Sequence, residues 1–336
     1  MFDRSNTHIL DILAARMRAS RPDRETHLII ENSDNRERWL RRDALLRPVQ
    51  FTAQWNDDLH HVVHSALTGE NTGYYADFEN LDERCEKLGR SLAEGFVYQG
   101  EFKEHEGEHR GEPSRGLPPT AFVNYLQNHD QVGNRAAGDR ISALIDEDKL
   151  LLAAALYLLA PEIPMIFMGE EWAASSPFPF FSDAPKELRK KIVKGRLEQL
   201  KESSPDQQSA APDPTDARTF RKAKLDWTEV KLPKAAKILH HYRTLLDLRH
   251  REIIPRLTAV PGFQGQFRRI GENAVLVNWT MGDGSILHLR LNLSDESVDA
   301  PPVVPGRRLW LQGHQTETNL GAWSLLWTIE LPKISA

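Results

Sequence analysis

Four short apolar runs, each ending in polar or charged residues, constrain the fold of this sequence more than any other feature. They are HLII (27–30), PVQFTAQW (48–55), PTAFVNYL (119–126) and EIPMIFM (162–168). Their length and apolar content are typical of strands buried on both faces of a sheet. Helix-forming segments separate them, and this alternation predicts a parallel sheet.

The segments between and around these runs have the spacing of helices. Residues 57–69, 81–95 and 146–159 separate the strands, 7–20 precede them with Thr7 as a possible cap, and 234–250 follow them. No GxGxxG or GxxxxGK[ST] follows any strand, so a dinucleotide or P-loop site has no support. A barrel is therefore the better closure, with its site beyond the carboxyl ends of the strands.

Beyond Pro255 the pattern changes to short alternating runs. FQGQFRRI, AVLVNWTM, ILHLRLNLS and RRLWLQG are typical of antiparallel strands. We therefore expect a β/α domain over 1–254 and an all-β domain over 255–336. The polar, Pro-rich stretch 201–217 is expected to be a surface loop or linker.

Charge and cysteine content exclude several classes of function. The 43 basic and 48 acidic residues give a net charge of -5, so a dedicated nucleic-acid binder is not expected. No apolar run approaches the roughly 18 residues of a membrane span, so no membrane partner is expected. Cys85 is the only cysteine, which rules out a disulfide within the chain and fits the cytoplasm.

Glu31 is the first candidate for chemistry. It follows four apolar residues and precedes the polar stretch NSDN. Desolvation at such a junction raises the pKa of a carboxyl group, as a general acid near neutral pH requires. The alternative is an exposed acid that starts a turn.

Asp130 is the second candidate, in the stretch QNHDQVGNR after the third apolar run. An Asp beside His129 and Asn128 can hold vicinal hydroxyls and stabilise developing positive charge. A hydrogen-bonded turn is the alternative. Paired with Glu31, Asp130 suggests glycoside hydrolysis, which uses carboxylates around an oxocarbenium-like centre.

The cluster QWNDDLHH after the second run allows three interpretations. His60 and His64 stand four residues apart, so a metal site must be considered, although no HExxH is present. Asp57 or Asp58 could instead cap a helix. A sugar site would use the ring of Trp55 and nearby polar groups, and we favour it because the other strand ends point the same way. We assign no chemistry to the acidic stretch 99–116, which is expected to be a flap or a solvated loop.

Together, five segments resemble the malto-oligosyltrehalose trehalohydrolases, a branch of the α-amylase superfamily of glycoside hydrolases. They are HLIIENSDN, QWNDDLHHVVHSALTGENTGYYADF, FVNYLQNHDQVGNRAAGDR, IPMIFMGEEW and KLDW. The resemblance implies retaining hydrolysis of the α-1,4 bond next to the terminal trehalose unit of maltooligosyl trehalose. It implies neither a metal nor an organic cofactor. The strands at 27–31, 49–54, 120–127 and 163–168 would be the fifth to eighth of a (β/α)8 barrel.

The resemblance also assigns site residues. Glu31 matches the proton donor and Asp130 the acid that stabilises the transition state. With Trp55, the matched substrate-contacting residues are Asn56, Asp57, Asp58, Leu59, His60, His129, Gln131, Val132, Gly133 and Asn134.

The family's nucleophilic Asp has no match in this chain. The stretch FDRSNTHILDILA resembles the end of the family motif that carries it, so the nucleophile is expected just upstream of Met1. The sequence is then the C-terminal portion of a trehalohydrolase. Two alternatives remain: half of a split enzyme completed by a separate chain, and a non-catalytic protein that binds maltooligosaccharides.

Overall fold

The computed structural model of the chain describes residues 3, 5–103, 107–203, 211–262, 264–272 and 274–332. Its helices are α1 (Ile9–Ser20), α2 (Asp57–Thr68), α3 (Leu81–Glu94), α4 (His129–Asn134), α5 (Glu147–Leu159), α6 (Lys186–Ser203), α7 (Ala217–Lys222) and α8 (Pro233–Leu248). Its strands are β1 (Ile29–Ile30), β2 (Ala53–Trp55), β3 (Glu101–Lys103), β4 (Glu108–Arg110), β5 (Phe122–Asn124), β6 (Ile163–Pro164), β7 (Gly265–Ile270), β8 (Ala274–Thr280), β9 (Ile286–Asn292), β10 (Val298–Asp299), β11 (Arg307–Gln312), β12 (Asn319–Leu320) and β13 (Ser324–Glu330).

The four apolar runs form one sheet in the order β1-β2-β5-β6, and every neighbouring pair is parallel. Ile29 lies beside Ala53, Gln54 beside Phe122, and Val123 beside Ile163. The prediction of parallel pairing is confirmed. The strands are shorter than the apolar runs: β1 and β2 begin after the start of their runs, whereas β5 and β6 end before their runs end, and the residues that follow them lead into the loops at the carboxyl edge.

α1 begins two residues later than predicted. Thr7 is not its cap: His8 occupies that position and its Nδ1 accepts from the Leu10 N–H at 3.2 Å. The apolar residues Ile9, Leu13 and Met17, spaced four residues apart, are each more than 40% exposed. Among the described residues, this side of α1 therefore has no packing partner.

α5 lies at the centre of the core. All residues from Leu150 to Leu159 are buried, because the segment is apolar on every side. It packs against α8 on one side and against β11 and β13 on the other. No described helix is both long and apolar enough to cross a membrane.

The antiparallel sheet has the order β11-β13-β9-β8-β7 and covers α3 and α5. Trp279 and Trp327 stack at 5.6 Å inside it, and their indole N–H groups donate to the carbonyls of Leu92 and Ala155, both at 3.1 Å. Gly89 allows α3 close to the sheet, since a Cβ there would lie 2.1 Å from the ring of Phe267.

The stretch 99–116 contains two short strands that pair with each other. Its described residues form the hairpin β3–β4, and Arg110 connects this hairpin to the rest of the chain. Residues 104–106 of this stretch lie outside the described residues, as do residues 204–210 of the predicted linker.

Candidate active site

Glu31, His129 and Asp130 meet at the carboxyl edge of the parallel sheet. Glu31 directly follows β1, and the other two begin α4 after β5. One ligand atom from each of the three side chains lies within 4.8 Å of the others. The imidazole of His129 lies 3.4 Å from the carboxylate of Asp130, and about half of each side chain is exposed. The structure thus brings both predicted acids together on an accessible surface.

The pKa of Glu31 is raised above its ordinary value. Partial desolvation contributes most, and the negative charges of Asp130 and Asp57 add to it, while His129 acts in the opposite direction. A raised pKa keeps a carboxyl group protonated closer to neutral pH, which is the state in which it can donate a proton.

A capping box holds the beginning of α4. The side-chain oxygen of Asn128 accepts from the N–H groups of Asp130 at 2.8 Å and Gln131 at 3.4 Å. In return, the side-chain oxygen of Gln131 accepts from the Asn128 N–H at 2.9 Å. This reciprocal arrangement fixes the first turn of the helix and with it the backbone of Asp130.

Arg196 of α6 holds the other end of α4. Its guanidinium donates to the carbonyls of Gly133 at 2.8 Å, Asn134 at 2.9 Å and Arg135 at 3.2 Å. A cation is favourable at the C-terminus of a helix, where carbonyls lack partners within the helix. The six-residue helix that carries Asp130 is therefore held at both ends.

Asp57 lies close to Glu31 and Asp130, called here the acid pair. Its Oδ1 accepts a short hydrogen bond from the Tyr125 hydroxyl and one from the Gln131 amide at 3.3 Å. Burial raises the pKa of Asp57, and the bond from Tyr125 opposes that shift. Trp55 stands beside it, with ring centroids 6.1 Å from Tyr125 and 5.9 Å from His129. Its half-buried ring therefore stands beside the exposed acid pair.

Asp58 turns the opposite way and is only 1% exposed. Its carboxylate accepts from the side chain of Asn35 and the N–H of Val97, both at 2.8 Å, and from the N–H of Tyr98 at 3.3 Å. Arg110 completes the set at 3.2 Å. The expected sugar contact of Asp58 does not fit this geometry, because protein donors occupy the carboxylate.

Arg110 links this buried carboxylate to the loop that follows Glu31. Its Nε donates to the carbonyl of Ser33 at 2.8 Å, while its guanidinium also pairs with Asp58. Asn35 belongs to the same loop, since its amide donates to Asp58 and its side-chain oxygen accepts from Gln54 at 3.3 Å. Asp58 thus ties together α2, the β3–β4 hairpin and the loop of Glu31.

Several other predicted contact residues are supports rather than lining. Asn56 is 1% exposed and its amide donates to the carbonyl of Gly95 and the side chain of Asn124. It stands at the N-cap of α2 without a side-chain cap bond, so neither Asp57 nor Asp58 is the cap. Leu59 and Val132 are also buried.

His60 is buried, and both of its ring nitrogens contact protein groups. Its Nδ1 faces the carbonyl of Leu126 at 2.6 Å, and its Nε2 lies 3.1 Å from the Tyr75 hydroxyl. Desolvation and the neighbouring histidines hold its pKa well below the ordinary value. Protein groups therefore occupy both ring nitrogens, which disfavours the metal interpretation of the His60–His64 pair.

Three residues of the site carry no signal in the sequence. Arg110 lies in a stretch without a motif, Tyr125 reads as part of an apolar run, and Arg196 is one of many basic residues of α6. Each acts through a hydrogen bond to a segment distant in sequence, which helical or strand spacing does not encode.

The chain is similar to known proteins over nearly its whole length. A Malto-oligosyltrehalose trehalohydrolase of Rhizobium sp. (strain M-11) is 35% identical over 99% of this chain and 54% of the relative. Its counterpart in Arthrobacter ramosus is 40% identical over 72% of this chain and 42% of the relative. This chain thus spans about half the length, or less, of these curated relatives. A family model described as a domain of unknown function (DUF3459) matches residues 263–327.

Solved structures also match nearly all of this chain and a little more than half of their own. A crystal structure named as an alpha amylase, from Salmonella typhimurium, has a TM-score of 0.91 and 38% identity, and it covers 98% of this chain and 55% of its own. The trehalose-6-phosphate hydrolase of Bacillus licheniformis has a TM-score of 0.53 at 16% identity, over 95% and 59% of the two chains. The second likeness shows the α-amylase-like fold alone.

Replacing Asp58 tests its role as a support. We expect Asp58→Ala to lower the free energy of unfolding by about 3 kcal/mol or more, because removing one partner leaves Arg110 as an uncompensated buried charge. Urea unfolding followed by circular dichroism measures the difference. Asp34→Ala, at an exposed position nearby, is the control. A loss of less than about 0.5 kcal/mol, the usual effect of a surface substitution, would contradict the role.

The coupling between the two acids is measurable directly. Removing the negative charge in Asp130→Asn makes ionisation of Glu31 easier, so we expect the pKa of Glu31 to fall while remaining above its ordinary value, since desolvation persists. Carbon-13 NMR titration of the Glu31 carboxyl gives the shift, and Asp34→Asn is the matched control. An unchanged or higher pKa in Asp130→Asn would show that the acids are not coupled.

Proposed function

Because this chain is a homologue of the malto-oligosyltrehalose trehalohydrolases, we propose that it forms the acid-bearing half of such an enzyme. The reaction is hydrolysis of the α-1,4-glucosidic bond next to the terminal trehalose unit of maltooligosyl trehalose, releasing trehalose. The observation that carries the proposal is the meeting of Glu31, His129 and Asp130 within 4.8 Å at the carboxyl edge of the sheet.

Glu31 is assigned as the proton donor. Its raised pKa supports donation of a proton to the departing glycosidic oxygen, after which the carboxylate can activate the water that completes hydrolysis. Asp130 is assigned to stabilise the positive charge that develops on the sugar ring. The mechanism uses carboxyl groups alone and requires no metal or organic cofactor.

The substrate contacts follow from accessibility. Trp55 offers a ring to the sugar, His129 is exposed beside the acids, and Gln131 and Asn134 are half-buried polar residues of α4. Asp57 is hydrogen-bonded to Gln131 and belongs to the same set of contacts. The buried residues of the matched stretches, namely Asn56, Asp58, Leu59, His60, Val132 and Gly133, act by holding these groups in place.

A retaining mechanism also needs a nucleophilic carboxylate roughly 5–5.5 Å from the acid. We assign it to the first four strands of a (β/α)8 barrel, whether these precede this sequence in one protein or belong to a separate chain. On this proposal, residues 1–254 supply strands five to eight and residues 255–336 form the β domain. The apolar side of α1 and the exposed Ile29 of β1 support it, since further strands would cover them.

The proposal also includes a compartment. The single cysteine, Cys85, is buried and free, which agrees with a reducing compartment such as the cytoplasm.

A non-catalytic protein that binds maltooligosaccharides is the second candidate function, because the chain has proposed sugar-contacting groups of its own beside the acid pair.

Complementation tests the proposal. The chain is co-expressed with the part of the Rhizobium relative that the match leaves uncovered, and trehalose release from maltooligosyl trehalose is measured. We expect activity above that of either half alone and, for Glu31→Gln, a loss of about 10²–10⁴-fold, as for other general acids. Asp34→Asn is the control and should retain activity.

The two candidate functions give different results. Binding of the substrate to the pair without release of trehalose would favour the non-catalytic protein. Release that survives Glu31→Gln would overturn the assignment of the proton donor.

A further inference from the structure

Glu70 lies outside the stretches that supply the acid pair and its contacts, yet its carboxylate is bonded to the end of α4. Its Oε2 lies 2.8 Å from the Nε2 of His64, and Arg135 Nη1 donates to the same oxygen at 2.9 Å. His64 belongs to α2, whereas Arg135 directly follows the last residue of α4. One carboxylate oxygen therefore joins the two helices.

The turn that carries Glu70 is ordered by hydrogen bonds at the end of α2. Gly69 ends the helix in the left-handed region, with a φ of 77°, and its N–H donates to the carbonyl of Ser65 at 2.9 Å. The Thr68 hydroxyl donates to the carbonyl of His64 at 2.8 Å and accepts from the N–H of Glu70 at 3.1 Å. The backbone of Glu70 is thus fixed independently of its contact with α4.

The two partners of this carboxylate are mostly buried. The side chains of His64 and Arg135 are 5% and 14% exposed, and the ring of Tyr75 stacks on His64 with centroids 4.4 Å apart. Burial raises the pKa of Glu70, but the hydrogen bonds from His64 and Arg135 outweigh it and lower that pKa to about 2. The carboxylate is therefore charged at neutral pH, and its hydrogen bonds are of the strong, charge-assisted kind.

Arg135 connects this contact to the part of α4 that carries Asn134, a proposed substrate contact. The N–H of Arg135 donates to the carbonyl of Val132 at 3.2 Å, which closes the last turn of the helix. Asp130 lies in the first turn, which the capping box holds separately. We therefore expect loss of the Glu70 carboxylate to loosen the end with Asn134 more than the end with Asp130.

We propose that Glu70 is a positioning residue that, through Arg135, holds the last turn of α4 and its Asn134 where the substrate binds. His64 anchors the same carboxylate oxygen to α2, so the two helices are fixed relative to each other. The inference rests on the proposed function and deepens it, because Asn134 is a substrate contact only on that proposal.

Kinetics of the complemented enzyme separate this role from a general loss of stability. We expect Glu70→Ala to raise KM for maltooligosyl trehalose about tenfold or more and to leave kcat within about threefold, because a contact that binds substrate and transition state equally affects KM alone. Glu70→Gln keeps an oxygen that both donors can reach, so its KM is expected to return toward that of the unmodified enzyme. Glu79→Ala, at an exposed position of the same segment, is the matched control and should change neither constant.

A second variant covers the case in which Glu70→Ala does not fold, which melting curves detect. Arg135→Met removes the bond to α4 while Glu70 keeps His64, and we expect the same rise in KM. A fall in kcat at unchanged KM, or constants equal to those of the unmodified enzyme in whichever variant folds, would overturn the role.

Hydrogen exchange of the chain alone, followed by NMR, makes the test independent of trehalose release. We expect Glu70→Ala to speed exchange of the Arg135 amide about tenfold or more and to leave that of the Val132 amide, which donates to the carbonyl of Asn128, within about twofold. An unchanged Arg135 amide would overturn the inference even if complementation gives activity. Faster exchange supports the holding role whether or not trehalose is released, and absence of release then counts against the proposed function alone.

Discussion

The buried carboxylate of Asp58 is the interaction on which the site depends. Removing a carboxylate from water costs several kcal/mol, and here four protein donors, one of them the charged guanidinium of Arg110, offset that cost. Those donors come from the loop after Glu31, the segment after α3 and the β3–β4 hairpin. One buried charge thus fixes three loops, so Glu31, the proposed proton donor, lies on a preorganised segment.

The two neighbouring acids at the start of α2 lie in different environments. Asp57 lies beside the acid pair and bonds to Tyr125 and Gln131, while Asp58 is buried in the interior. Consecutive helical residues point about 100° apart, so a pair of acids at the start of a helix can serve two environments. On α4 the side chain of Asp130 is exposed, while that of Val132, two residues later, is buried.

The sequence predicts the parallel sheet and the meeting of Glu31 with Asp130, because carboxyl ends of parallel strands share one edge. It does not separate the accessible residues of the site from the buried residues that hold them in place. Asn56, Asp58 and His60 are buried although they are close in sequence to the more accessible Trp55 and Asp57, and only tertiary contacts decide which way each side chain turns. The roles of Arg110 and Arg196 are also invisible in the sequence, since each guanidinium reaches a segment more than 50 residues away.

We propose that Glu31 and Asp130 are two parts of a retaining site that is completed by a nucleophilic carboxylate of the complementing half. A fluorinated glycosyl fluoride, which traps the glycosyl-enzyme intermediate, followed by peptide mass spectrometry, tests this most directly on the complemented enzyme. We expect one label on a carboxylate of the complementing half and none on this chain. A label on Asp130, Asp57 or Glu31 would contradict it.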